Sequence, residues 1–149
     1  MISDTIRKII DITLKKTDLY SPEAADLIYE TGKAESGYYA LEQMGNGPAK
    51  GFFQCEPATM YDCVDNFIKF RPKLESAMYG LGYDEEDPEF SLVSNIALQV
   101  FFCRIKYRRD KDPIPKTVRG RADYWKRVYN TEGGKGTVEH YMKANNPFK

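Results

Sequence analysis

AESGY at residues 34–38 and GFFQCEP at residues 51–57 are the two stretches that decide the predicted fold. A helix begins before the first of them, because Ser21 can cap the free amides of a first turn that contains Pro22. Gly37 ends this helix, since glycine adopts the left-handed cap conformation at little cost. Glu35 is therefore predicted to lie in the last helical turn, ahead of a glycine-rich loop.

Apolar residues at helical spacing continue along the rest of the chain. The loop over residues 37–55 has room for short β pieces, and the whole chain, residues 1–149, is long enough for a single domain with one core. We predict a mainly α fold around one long central helix. The further helices are expected over 3–16, from Pro57 through Ile68, from Pro72 to the break at 80–82, from Pro88 through Ile105 as the central helix, over 119–129, and after Thr137.

Composition excludes several classes of function. Acidic and basic residues number 22 each, and this zero net charge argues against strong attraction to nucleic acid or anionic membranes. Three cysteines are an odd number, which favours reduced, buried thiols over a disulfide framework. With His140 as the only histidine, a zinc site is poorly supported, and we expect no metal or cofactor. Neither a secretory signal nor a membrane-spanning stretch is apparent, so no membrane insertion is expected.

The two stretches resemble the leading motifs of the lysozyme-like superfamily, as found in lytic transglycosylases and goose-type lysozymes. The resemblance implies a lysozyme-like helical domain in which Glu35 is the catalytic acid. It also implies that Ser36, Phe53 and Gln54 lie along a sugar cleft. The segment YWKRVYNT at residues 124–131 matches the family's later aromatic motif, which implies that Tyr129 and Asn130 close the cleft beside the acid.

Residues 30–59 and 125–136 are most similar to small lysozyme-like proteins of tailed phages. This similarity implies peptidoglycan as the substrate, with cleavage between N-acetylmuramic acid and N-acetylglucosamine. It also implies phage virion proteins as candidate partners. The protein would be made in the host cytoplasm and reach the cell wall through a holin, within a virion, or at lysis.

The chemistry of glycoside cleavage fits Glu35. The acid that protonates the leaving oxygen must keep its proton near neutral pH, and both burial and the negative end of a helix favour the protonated form. Tyr38, Tyr39 and Phe53 are expected to form apolar walls, and the Gln54 amide can donate to and accept from a sugar.

A second carboxylate is not fixed by any motif, so inverting, retaining and single-acid transglycosylase routes all stay open. The resemblance favours the single-acid route. The candidates for a second carboxylate are Glu56 and Asp62, followed by Glu30 and Glu132.

Alternative functions belong to other classes. A virion structural protein could keep the fold without catalysis. A cysteine amidase would need Cys55 or Cys103 beside His140. The basic run at residues 104–111 suggests nucleic-acid binding, although cations also favour a helix C-terminus. Trp125 fits a core position better than a sugar-stacking platform.

Overall fold

The computed structural model describes residues 2–39, 47–131 and 133–146, and this part of the chain is mainly α. Within these ranges no β-strand forms, and the expected β pieces reduce to one isolated pairing between Lys50 and Cys55. Residues 40–46 of the glycine-rich loop lie outside the described residues. The helices are α1 (Ile2–Lys16), α2 (Pro22–Glu35), α3 (Pro57–Asn66), α4 (Pro72–Gly80), α5 (Pro88–Ser94), α6 (Ile96–Arg108), α7 (Val118–Tyr124) and α8 (Val138–Ala144).

The centre of the fold is α6, whose residues are buried for most of its length. Helices α1, α2, α3 and α5 pack around it. The starts of the surrounding helices follow the sequence signals closely. Ser21 accepts a hydrogen bond from the Ala24 amide at the start of α2, and Thr137 caps α8 through the His140 amide. No helix in the described ranges has both the length and the apolar character needed to cross a membrane.

The prediction of one long helix from Pro88 through Ile105 is wrong. The chain breaks at Asn95, which has an extended backbone with φ −123° and ψ 102°. Its side-chain oxygen accepts a hydrogen bond from the Leu98 amide at 3.0 Å, and its side-chain nitrogen donates to the Leu81 carbonyl at 2.7 Å. The asparagine therefore begins α6 as an N-cap and ties it to the end of α4.

The helix predicted over residues 119–129 also differs from expectation. Its first half is α7, but Trp125–Asn130 continue in the wider π-helical form. The segment ends at Thr131, where φ is +69°. Because π-helical turns are rare and are frequent at functional sites, this segment is an independent marker of the functional region.

A buried polar cluster holds α8 against α2 and α7. Arg121 donates to both carboxylate oxygens of Glu30, at 2.8 and 2.9 Å, and the Tyr141 hydroxyl donates to the same carboxylate at 2.7 Å. Only 7% of the Arg121 side chain and 13% of the Glu30 side chain are exposed. The cluster fixes the position of α8, which carries His140.

Candidate active site

A groove of about 1060 Å³ runs between the end of α2, the turn before α3, the second half of α6 and the π-helical segment. It brings together residues that are far apart in the sequence. Of the predicted catalytic, substrate-binding and first-choice second-carboxylate residues, all but Phe53 line it. Those that do are Glu35, Ser36, Gln54, Glu56, Asp62, Tyr129 and Asn130.

Glu35 is the last residue of α2, and its partly buried carboxyl group opens into the groove. The Trp125 indole N–H donates a hydrogen bond to its Oε2 atom at 2.9 Å. Burial raises the pKa of Glu35, and this effect exceeds the lowering caused by the Trp125 hydrogen bond and by the charges of Lys106 and His140. The side chain is thus suited to hold a proton that it can give to a bound ligand.

The end of α2 is anchored to the turn at residues 50–55. Ser36 caps the helix through its amide, which donates to Gly32 O, and its hydroxyl donates to Phe52 O at 2.6 Å. Gly37 has φ +62°, as expected for the residue that ends the helix. Glu35 is therefore held at a fixed position relative to the turn that carries Gln54.

The backbone of the turn at residues 50–55 lies close to the side chains around it. Gly51 has φ +77°, and a Cβ atom there would lie 2.7 Å from the buried Gln99 side chain, so only glycine fits. Gln99 accepts a hydrogen bond from the Phe52 amide at 3.0 Å. The Gln54 side-chain amide donates to Gly51 O at 2.8 Å, which leaves its second N–H and its oxygen for a ligand in the groove.

Tyr129 and Asn130 lie on the opposite side of the turn. The buried Tyr129 hydroxyl donates to Phe53 O at 2.6 Å, so the ring is a fixed part of the groove and does not fold over it. The Asn130 side-chain oxygen accepts from Lys126 Nζ at 2.8 Å, and Lys126 also donates to Gly134 O. Both predicted residues reach the groove, and both also hold the surrounding backbone in place.

Backbone strain is concentrated around the groove. Four non-glycine residues in the described ranges have positive φ, and two of them, Gln54 and Thr131, line the groove, while Tyr38 follows the helix that carries Glu35. Such conformations cost about 1–3 kcal/mol each and persist where the surroundings impose them. Their clustering is typical of a functional site.

The expectations for apolar walls need correction. The Phe53 side chain is only 1% exposed and packs in the core, so it cannot contact a ligand in the groove. Tyr38 is also buried, with its ring against Gly32 and its hydroxyl on Tyr29 O, whereas Tyr39 is 94% exposed. The adjacent aromatic residues of the second motif point inward because they anchor the turn to the core.

Trp125 does occupy the core, as expected, yet its polar edge contacts the acid. The sequence contains a weak signal for this contact. Trp125 lies four residues before Tyr129, so one helical face reaches both Glu35 and the groove. What the sequence cannot show is that the indole N–H, rather than the ring face, meets the carboxyl group.

The candidates for a second carboxylate fall into different environments. Glu30 is the wrong choice, because it is held in the buried pair with Arg121 and does not line the groove. Asp62 lines the groove and accepts hydrogen bonds from Asn66 and Arg109, which lower its pKa. Glu56 is exposed at the start of α3 and also lines the groove. Glu132 lies outside the described residues.

The thiols do not form a nucleophilic site. Cys55 is buried and its pKa is raised to about 12 by burial, and burial also raises the pKa of Cys103. The His140 Nε2 atom contacts Ala34 O at 2.7 Å, and in the part of the chain that the structure describes no histidine–cysteine hydrogen bond forms. A thiolate activated by an imidazole is therefore not present.

The basic residues of the run at 104–111 lie in different environments, and Arg104, Arg108 and Lys111 line a second pocket away from Glu35. Arg104 is partly buried and donates to Leu19 O, Lys106 points into the groove, and Arg109 pairs with Asp62. Tyr107, in the middle of the run, is fully buried. These side chains therefore make contacts within the protein.

Replacing Trp125 with phenylalanine is expected to raise the pKa of Glu35. The hydrogen bond from the indole favours the carboxylate, so its loss favours the protonated form. NMR titration of the Glu35 carboxyl carbon measures this directly. Tyr124→Phe is the matched control, because it removes another buried aromatic donor without touching Glu35. An unchanged or lower midpoint in Trp125→Phe would contradict this assignment.

The chain matches no model of a known protein family, no curated protein and no solved structure. The likeness to the lysozyme-like superfamily therefore rests on the sequence motifs around Glu35, Gln54 and Tyr129. What the protein does has to be inferred from the groove and from the chemistry of its side chains.

Proposed function

We propose that this protein cleaves the glycan strands of peptidoglycan between N-acetylmuramic acid and N-acetylglucosamine, with Glu35 as the general acid. One observation carries the proposal. The Glu35 carboxyl group is partly desolvated, accepts a hydrogen bond from Trp125, and lines a groove of about 1060 Å³. A carboxylic acid with a raised pKa beside a polar groove is what cleavage of a glycosidic bond needs.

The surroundings of Glu35 support proton donation in two ways. Its carboxyl group lies at the C-terminal end of α2, where the helix dipole disfavours a negative charge. The hydrogen bond from Trp125 holds one carboxyl oxygen, which leaves the other oxygen to carry the proton towards the leaving group. As the bond to the leaving oxygen breaks, Glu35 becomes a carboxylate. The hydrogen bond from the Trp125 indole then becomes stronger, because its acceptor is charged.

Asp62 is the favoured partner in a two-carboxylate mechanism. Glu35 and Asp62 line the same groove, and their pKa values are shifted in opposite directions. Pairs of carboxyl groups with separated pKa values supply an acid and an ionised partner at one pH. Asp62 would act on water or stabilise the positive charge that develops on the sugar, while Glu56 is the alternative for this role.

A single-acid route is the second mechanism. Here the acetamido group of the substrate replaces the enzyme carboxylate, and the product has a 1,6-anhydro end. The remaining donor and acceptor capacity of the Gln54 and Asn130 amide groups would position the N-acetyl group in either case. Delivery to the wall through a holin or as part of a phage particle belongs to the same proposal and rests on the motif resemblance.

The test is mass spectrometry of purified peptidoglycan after incubation with the protein. We expect disaccharide-peptides, with reducing ends for hydrolysis or 1,6-anhydro ends for transglycosylation. Release of stem peptides from uncut glycan would contradict the bond assignment. A complete absence of products from walls of several species would favour a structural protein with the same fold.

A further inference from the structure

A lysine from the central helix lines the groove and has no ion-pair partner among the described residues. Lys106 projects from the buried central helix α6 and lines the groove. Its Nζ atom donates to Tyr129 O at 2.7 Å and lies 4.1 Å from the centre of the Tyr129 ring. Among the described residues no carboxylate forms an ion pair with it, whereas the neighbouring Arg109 is paired with Asp62.

This arrangement leaves hydrogen-bonding capacity that a ligand can use. A partly buried ammonium group loses hydration, and such charges are normally paired. An ammonium group has three N–H donors, and within the described part of the chain one of them is used, by Tyr129 O. Its remaining donors are therefore left for a group that enters the groove.

Its position matters for the proposed reaction as well. Lys106 is near enough to Glu35 for its charge to favour the carboxylate form of that residue. A positive charge there also opposes the positive charge that develops on the sugar during glycosidic cleavage. A substrate carboxylate bound to Lys106 would offset the positive charge of the lysine while the positive charge develops on the sugar.

We propose that Lys106 is a carboxylate-binding subsite, so that the groove prefers glycans that carry an acidic substituent over uncharged chitin-type glycans. This inference rests on the proposed function. Two substituents of peptidoglycan have the required chemistry: the lactyl carboxylate of peptide-free muramic acid, and the carboxylates of the stem peptides. Either carboxylate could bind to Lys106, and the experiment below distinguishes between the two.

The experiment measures binding by calorimetry in a Glu35→Gln background, which prevents cleavage. The ligands are chitotetraose, a peptide-free muramic acid-containing tetrasaccharide, and the same tetrasaccharide with stem peptides. We expect at least one acidic glycan to bind about tenfold or more tightly than chitotetraose, as a charge-assisted hydrogen bond gives. Preference for the peptide-free glycan identifies the lactyl group, and preference for the peptide-bearing glycan alone identifies the stem.

Lys106→Gln is then expected to remove this preference, and Lys69→Gln, an exposed lysine outside the groove, is the control for net charge. If Lys106→Gln does not fold, the same acidic glycan with its carboxylates converted to amides gives the test on the parent protein. Equal binding of all glycans, or a preference that survives Lys106→Gln, overturns the subsite and leaves the proposed function standing. Failure of every glycan to bind overturns both.

Discussion

Glu35→Gln is expected to lower the release of muropeptides by at least about a hundredfold, since a positioned general acid contributes about 10²–10⁴ in rate. Glutamine has nearly the same shape as protonated glutamic acid and can still accept the hydrogen bond from Trp125. It has no proton of suitable acidity to give to the leaving oxygen. The loss should therefore appear in kcat, with substrate binding little changed, and digestion of cell walls followed by mass spectrometry measures it.

The stability of the same variant gives an independent check of the Glu35 environment. The folded-state pKa of Glu35 is raised above its unfolded value, so the folded protein is favoured while the group is protonated. This contribution is complete below the unfolded pKa and is lost as the pH rises through the folded pKa. Glu35→Gln should lack that decline, and urea unfolding across this pH range should show the variant gaining on the parent protein as the pH rises.

Cys55→Ser is the control for the activity measurement, because Cys55 is buried and its thiol is not available as a nucleophile. Its activity should stay close to that of the parent protein. Undiminished cleavage by Glu35→Gln would remove Glu35 from the mechanism. Loss of activity in Cys55→Ser with activity kept in Glu35→Gln would instead support the thiol alternative.

The sequence predicts the helix starts well because their signals are local. Ser21 and Pro22 begin α2, Gly37 follows its end, and Thr137 caps α8, as the residue types require. The sequence does not predict the break at Asn95, because a continuous apolar pattern runs through it. The Asn95 side chain donates a hydrogen bond to Leu81 O, which holds this residue at the start of α6. This is a tertiary contact, and the local sequence does not show it.

The candidate site likewise has features that local sequence signals predict and features that depend on tertiary contacts. The positions of Glu35 and Gln54 relative to their helices follow from the sequence, and the groove includes both. The packing of α6 beneath the turn determines two features that the sequence does not show. The Phe53 ring points into the core, and the Lys106 ammonium group donates to Tyr129 O without an ion-pair partner among the described residues. Neither can be predicted from spacing, because a partly buried lysine and a surface lysine occupy the same kind of position in a helical pattern.

Glu30 illustrates why proximity in sequence to the acid is a poor guide to function. It lies five residues before Glu35 in α2, yet its carboxylate faces Arg121 and Tyr141 and not the groove. We expect Glu30→Gln to lower the free energy of unfolding by about 3 kcal/mol, because removing one partner of a buried ion pair leaves the other charge uncompensated. Chemical denaturation measures this change.

Asp26→Asn is the matched control, since it makes the same acid-to-amide change in α2 at an exposed pair with Arg7. Its cost should stay below about 1 kcal/mol, as exposed ion pairs contribute little. Adding Arg121→Met to Glu30→Gln should recover part of the lost stability, because the unpaired cation is then removed. If Glu30→Gln keeps full stability but abolishes cleavage, Glu30 acts on the substrate after all, and the separation between the buried cluster and the catalytic groove is wrong.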